Sequence, residues 1–271
     1  MGTRITMGVG ALALASIALG GCTGSPGVAS PSASLASTKS SFATTTPPTP
    51  QGSSSGSVAW TFSVPPSAPP SSPTSRPTDP TTARTLALLA KLPVKGRAPK
   101  TGYDRKQFGV RWSDDVDVSL GHNGCDTRND ILRRDLSDIT LKPIAHGCIV
   151  LTGVLVDPYT GTRISFHRGV GTSNAIQIDH VVALSDAWQK GAQQLSPEQR
   201  QDFANDPRNL LAVSGRANDQ KRDGDAATWL PKNKSYRCTY VAKQVAVKSA
   251  YHLWVTKSEK EAITRVLGKC G

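Results

Sequence analysis

Gln177-Ile178-Asp179-His180-Val181-Val182-Ala183-Leu184 is followed by Pro207-Arg208-Asn209-Leu210-Leu211-Ala212-Val213 and then by Ala217-Asn218-Asp219-Gln220-Lys221. Ile176-Gln177-Ile178 alternates apolar and polar residues, which predicts a strand leading into the Asp179-His180 pair. Leu210–Val213 is apolar, too short for a helix and bounded by Pro207 and Gly215, so it reads as a second strand. The polar segment Ala217–Ala227 suits a short surface helix. Between the two strands, Ser185–Gln194 and Ser196–Asn205 read as helices. Ser196-Pro197-Glu198-Gln199 is a start signal, with serine as cap, proline at the first position and glutamine at the third. The expected order is strand, inserted helices, strand, helix.

Working outward, Leu86, Leu89, Ala90 and Leu92 predict an amphipathic helix ending before Pro93. Tyr103, Phe108 and Trp112 are expected core anchors. Asp126 or Thr127 caps a helix through Leu136, with Ile131, Leu132 and Leu136 on one face. His146–Val156 reads as a strand, Asp157-Pro158-Tyr159-Thr160-Gly161 as a turn, and Thr162–His167 as the returning strand of a hairpin. Beyond the decisive stretch, Tyr236–Leu253 is helical, and Thr256 or Ser258 starts a last helix that ends at Gly268. No internal repeat is visible.

The 271-residue chain carries a net charge of +12, and nearly all of that excess lies beyond Thr82, since Met1–Thr82 holds Arg4, Lys39 and Arg76 against Asp79. A domain this basic attracts polyanions; a solvated basic surface, or affinity for anionic lipid or cell-wall polymer, explains the charge equally well. Met1–Gly21 has the form of an export signal, with Arg4 ahead of an apolar Val9–Leu19 too short to span a bilayer. Leu19-Gly20-Gly21-Cys22 looks like a bacterial lipobox, which makes Cys22 the lipidated residue. An ordinary signal peptide cleaved nearby is the alternative. Residues 22–82 are rich in Ser, Thr and Pro and too poor in large apolar residues to offset ordering, so they read as a disordered tether. Val58–Phe62 is an apolar island within it. Residues 83–271 form the expected folded domain. Its four cysteines show no CxxC spacing, which speaks against a thiolate zinc site. In an exported chain they read as two disulfides with three connectivities, of which we expect the sequence-local pairs Cys125–Cys148 and Cys238–Cys270.

Ile178–Leu184, Pro207-Arg208-Asn209-Leu210 and Asn218-Asp219-Gln220-Lys221 resemble the HNH endonucleases of the His-Me finger superfamily. Gly102-Tyr103-Asp104-Arg105, Phe108-Gly109 and Cys125-Asp126-Thr127-Arg128-Asn129 look like its secreted branch, related to the C-terminal domain of GmrSD-type restriction enzymes. The resemblance spans roughly Ala83 to Gly271, with Asn218 where many members have histidine. It implies an α+β fold: a ββα-metal hairpin-helix core embedded in a mostly helical single domain with an extra β-hairpin.

The resemblance also assigns roles. His180 is the general base and Asn209 braces the loop and the histidine. Asp179 and Asn218 hold one divalent ion, Mg²⁺ above all, with Mn²⁺ or Zn²⁺ as alternatives. Lys221 and Arg222, three and four residues past Asn218, and Arg216 are expected to meet the phosphates of nucleic acid, DNA ahead of RNA. Arg128, Arg133 and Arg134 fit a phosphate site or a solvated face, and His167 either lines the site or is a surface residue. Hard oxygen ligands suit a Lewis-acid ion, and a neutral histidine suits water activation. Neighbours on a regular strand face opposite sides, so the pair addresses one ion only if the strand is irregular there. Taken singly, Asp179 also fits a polar edge residue, His180 a core histidine and Asn218 a helix cap. The expected protein is an exported monomer, lipid-anchored on the extracellular side of the cell membrane. The second reading is a non-catalytic surface lipoprotein that binds anionic polymer or a partner protein. HExxH, GxSxG and P-loop motifs are absent from the sequence.

Overall fold

Asp79 accepts from the backbone N–H of Thr82 and opens helix α1, Pro80–Lys91, three residues ahead of the expected boundary at Ala83. The chain from there was described in a computed structural model, which covers residues 79–143 and 147–270. Cys22, the signal, the apolar island and the expected tether up to residue 78 lie outside the described residues, while the last residues of that tether cap and open α1. The elements that follow are α2 (Thr127–Asp135), β1 (Ser137–Leu141), β2 (Val150–Val156), β3 (Arg163–His167), β4 (Ile176–His180), α3 (Leu184–Trp188), α4 (Pro197–Asn205), β5 (Leu210–Ser214), α5 (Gly215–Lys221), α6 (Arg237–Ala250) and α7 (Lys257–Leu267). The fold is mixed α+β with two small antiparallel sheets, and among the described residues no helix is long and apolar enough to cross a membrane.

The local signals act as their chemistry dictates. Asp126 caps α2, and both Ser196 and Thr256 form reciprocal capping boxes, with Gln199 and Glu259. The expected helix Ser185–Gln194 is instead the short α3 followed by a 3₁₀ turn, Ala192–Gln194. The break falls at Gly191, whose φ of +125° suits only glycine. The hairpin β2–β3 forms, and β1 adds a third strand on the far edge of β2, with register shifts along their pairing. That strand was missed because Ser137-Asp138-Ile139-Thr140-Leu141 is mostly exposed and offers little apolar alternation.

The two-stranded sheet β4–β5 lies between cores. From β5, Leu210 and Ala212 join Ile131, Phe166, Ile176 and Ile178 on one side, while Leu211 and Val213 join Tyr240, Val241 and Ile263 on the other. A strand buried on both faces needs a continuous apolar run, which is what Leu210–Val213 supplies. Cys125 is bonded to Cys148 and Cys238 to Cys270, the sequence-local pairs. They close loops of 23 and 32 residues, each contributing about 2–4 kcal/mol through the unfolded chain.

Candidate active site

Strand β4 places Gln177 and Asp179 on one face and Ile178 and His180 on the other, because its pairing with β5 is regular through Asp179↔Leu211 and His180↔Leu210. The irregular strand required for both neighbours to face one ion is therefore not formed. Helix α5 starts directly after β5, at Gly215, where a Cβ would lie 2.0 Å from the Asn174 carbonyl oxygen. This contact draws the helix against β4, two residues earlier than expected. Asn218 and Lys221, one turn apart on α5, then meet the polar face of β4: Asn218 Nδ2 donates to Gln177 Oε1 at 2.8 Å, and Lys221 Nζ donates to Asp179 Oδ1 at 3.0 Å.

Lys221 does not reach phosphates. Its side chain is 0% exposed, and its ammonium also donates to the His180 carbonyl at 2.8 Å. The i+3 spacing put it on the side of Asn218 as anticipated, but that side faces the interior. Arg222 and Arg216 are exposed, and Arg222 ends α5 with a φ of 54°. Arg134 is a clamp rather than a phosphate ligand, donating to the Pro207 and Leu210 carbonyls, and His167 lies on the surface.

The other oxygen of Asp179 accepts from the Tyr159 hydroxyl at 2.5 Å. In the sequence Tyr159 is marked only as part of the turn Asp157–Gly161. The turn folds inward because Asp157, itself buried, accepts from the N–H groups of Tyr159, Thr160 and Ser214 and so ties it to the end of β5. Burial raises the Asp179 carboxyl above its ordinary value, while Lys221 and Tyr159 draw it back down.

His180 is held from the opposite face. Its Nε2 lies 2.9 Å from the Ala204 carbonyl, and its ring stacks against Trp112 at 6.1 Å between centroids. A carbonyl oxygen only accepts, so Nε2 carries the proton and Nδ1 holds the lone pair. Asn209 makes this arrangement possible. Its Oδ1 accepts from Val182 N–H at 2.8 Å and its Nδ2 donates to the Phe203 carbonyl at 3.3 Å, joining the end of α4 to the segment after His180. Burial and, after it, the charge of Arg105 lower the His180 pKa from 6.5 to about 3.

That shift has a stability consequence. As pH falls from 6.5 to about 3, the unfolded chain takes up a proton at His180 that the folded chain refuses, so this residue's contribution decreases with falling pH. Urea midpoints measured from pH 7 to pH 4 are expected to fall less steeply for His180→Gln than for the wild type; equal slopes would mean that His180 is not held neutral.

Asp179, His180 and Asn218 all line one open cleft of ≈ 410 Å³, together with Tyr103, Arg105 and Arg222. Asn209 stands behind it. Tyr103, Arg105 and Trp112 were visible upstream, but nothing in their spacing tied them to His180. Among the described residues no group of three or more His, Cys, Asp or Glu side chains is placed to share a metal ion. The donors present are nevertheless of one kind. Asp179 keeps lone pairs beyond the two that Lys221 and Tyr159 use, and the side-chain Oδ1 of Asn218 accepts no hydrogen bond among the described residues. One carboxylate and one amide oxygen, with water and phosphate completing the shell, fit a small hard cation.

A family profile described as GmrSD restriction endonucleases, C-terminal domain, matches residues 126–266. An uncharacterized secreted protein of Arthroderma benhamiae is 37% identical over 186 residues, covering 68% of this chain and 83% of that protein. No solved structure matches the chain.

Proposed function

Since the chain belongs to the family of GmrSD restriction endonuclease C-terminal domains, we propose that it is an exported endonuclease that hydrolyses phosphodiester bonds with a divalent ion, DNA being the favoured substrate. The observation that carries this reading is His180, fixed through Nε2 to the Ala204 carbonyl and with no hydrogen bond at Nδ1 among the described residues, lining the same cleft as the oxygen ligands Asp179 and Asn218. In this reading β4, β5 and α5 correspond to the two strands and helix of a ββα-metal core.

In this reading His180 Nδ1 accepts a proton from the attacking water, while the Ala204 carbonyl and Trp112 keep the ring from turning. A pKa of about 3 makes a weak base. A substrate phosphate beside Arg105 offsets the cationic part of that depression, so basicity rises when substrate enters. Asp179 and Asn218 would hold the ion, which would supply Lewis-acid stabilisation of charge developing on the phosphate and the leaving oxygen. Arg105 and Arg222 stand at the cleft, placed to orient the backbone, and Arg216 adds positive charge on α5. The two disulfides and the secreted relative support export; lipidation at Cys22 would tether the domain to the outer face of the membrane. The purified chain is expected to nick plasmid DNA with Mg²⁺ or Mn²⁺ and to stop on addition of EDTA. Cleavage that continues in EDTA would overturn the metal assignment.

A further inference from the structure

We propose that Lys221 sets the divalent-cation affinity of this cleft, keeping it low in the free protein so that ion and substrate phosphate enter together. The inference rests on the nuclease reading and concerns the charge balance of the cleft. Among the described residues Asp179 is the buried carboxylate lining it, and its charge is already matched. Lys221 Nζ sits 3.0 Å from Oδ1, and the same ammonium is tied to the His180 carbonyl at 2.8 Å, so it is held against β4 at two points. Leaving that place means taking the only cationic donor among the described residues from a buried carboxylate, to which Tyr159 would still donate, and a donor from a buried carbonyl.

The remaining charges do not restore a negative site. Asn218 offers a dipole, and Tyr159 donates to Asp179 and adds no charge. Asp219 and Asp223 are exposed at the rim, where Arg105 and Arg222 line the same cleft with equal and opposite charge and Lys100 lies 3.8 Å from Asp223. The protein therefore offers an incoming ion a carboxylate whose charge is spent. Small hard cations dehydrate reluctantly and are commonly bound by one or two carboxylates plus substrate phosphate. A divalent ion sharing a carboxylate with an ammonium loses about tenfold or more in affinity even in the dielectric of water. A backbone phosphate entering past Arg105 brings the missing negative charge. Lys221 is on this account a positioning residue, acting through Asp179 and never touching substrate.

The test is to titrate the full chain with Mn²⁺, following free Mn²⁺ by electron paramagnetic resonance, alone and with a phosphorothioate DNA duplex that resists cleavage. The wild type is expected to bind Mn²⁺ at least about tenfold more tightly with the duplex than without it. Lys221→Met, which removes the charge and keeps the bulk, is expected to tighten Mn²⁺ binding to the free chain by about tenfold. That variant leaves Asp179 unpaired and can fail to fold, but the wild-type comparison stands without it. Equal wild-type affinity with and without duplex, or a folded Lys221→Met with unchanged affinity, overturns the inference and leaves the nuclease reading intact. No Mn²⁺ bound even with duplex, together with no cleavage, overturns both.

Discussion

His180→Ala is expected to slow metal-dependent cleavage by about 10²–10⁴, the usual worth of a general base, with no recovery at raised metal concentration. The variant removes the Nδ1 lone pair and leaves Asp179 and Asn218, which β4 and α5 hold through Gln177, Tyr159 and Lys221 rather than through the imidazole. The missing function is proton transfer, so occupancy of the ion site cannot replace it. Asn218→Ala is the contrasting variant. Asn218 is half-buried with one side-chain hydrogen bond to Gln177, so its loss should weaken ion binding with little cost in stability. Its activity should rise again as Mg²⁺ or Mn²⁺ is raised. Asp179→Ala is a poorer probe, because it strands the buried Lys221 ammonium as well as removing a ligand. Cleavage rates measured against metal concentration separate the cases. A His180→Ala protein restored by excess metal, or as fast as the wild type, would remove His180 from the role of base.

What the sequence disclosed and what it hid differ by the kind of physics involved. Period-2 and period-3.6 patterns, caps and short apolar runs are local, and they located α1, α2, α4, β4, β5 and α7 to within a few residues. The juxtaposition of Asn218 and Lys221 on one side of α5 was also local. Which side of α5 faces inward is not: it follows from the approach of Gly215 to Asn174 and from Gln177 and Asp179 sharing a face of β4. A lysine in a polar segment therefore read as a phosphate contact, although it is wholly buried. Tyr159 and Trp112 reach the site from loops distant in sequence, and no periodicity marks such residues. The regular pairing at Asp179-His180 was equally hidden, since register depends on the partner strand. Its consequence is a division of labour: α5 and Tyr159 hold Asp179 from one face, while Trp112 and α4 hold His180 from the other.

The largest stability effect is expected away from the cleft, at Lys190→Met. Lys190 is 0% exposed, and its ammonium lies 2.7 Å from Asp186, 2.7 Å from Asp225 and 2.6 Å from Glu259. Lys248 bridges Asp186 and Glu259, and Arg97 bridges Asp186 and Asp225, so three cations balance three carboxylates. Burial alone would raise the Asp225 carboxyl, but Lys190 and then Arg97 outweigh it and hold the pKa at about 2. Replacing such a network by apolar side chains can be neutral, but removing a single partner leaves uncompensated charge in the interior at a cost of about 3–5 kcal/mol. Lys190 is the member that touches all three carboxylates, and methionine fills its volume without its charge. The network also anchors the site at both ends, since Asp186 lies on α3 just beyond His180 and Asp225 just beyond α5. Lys190→Met is therefore expected to lower the free energy of urea unfolding by about 3–5 kcal/mol, and to slow cleavage in the fraction that remains folded. Adding Glu259→Gln should return part of the lost stability, because it removes one of the charges left behind. A single variant within about 1 kcal/mol of the wild type would mean that the carboxylates find other partners, and that the site is held by packing alone.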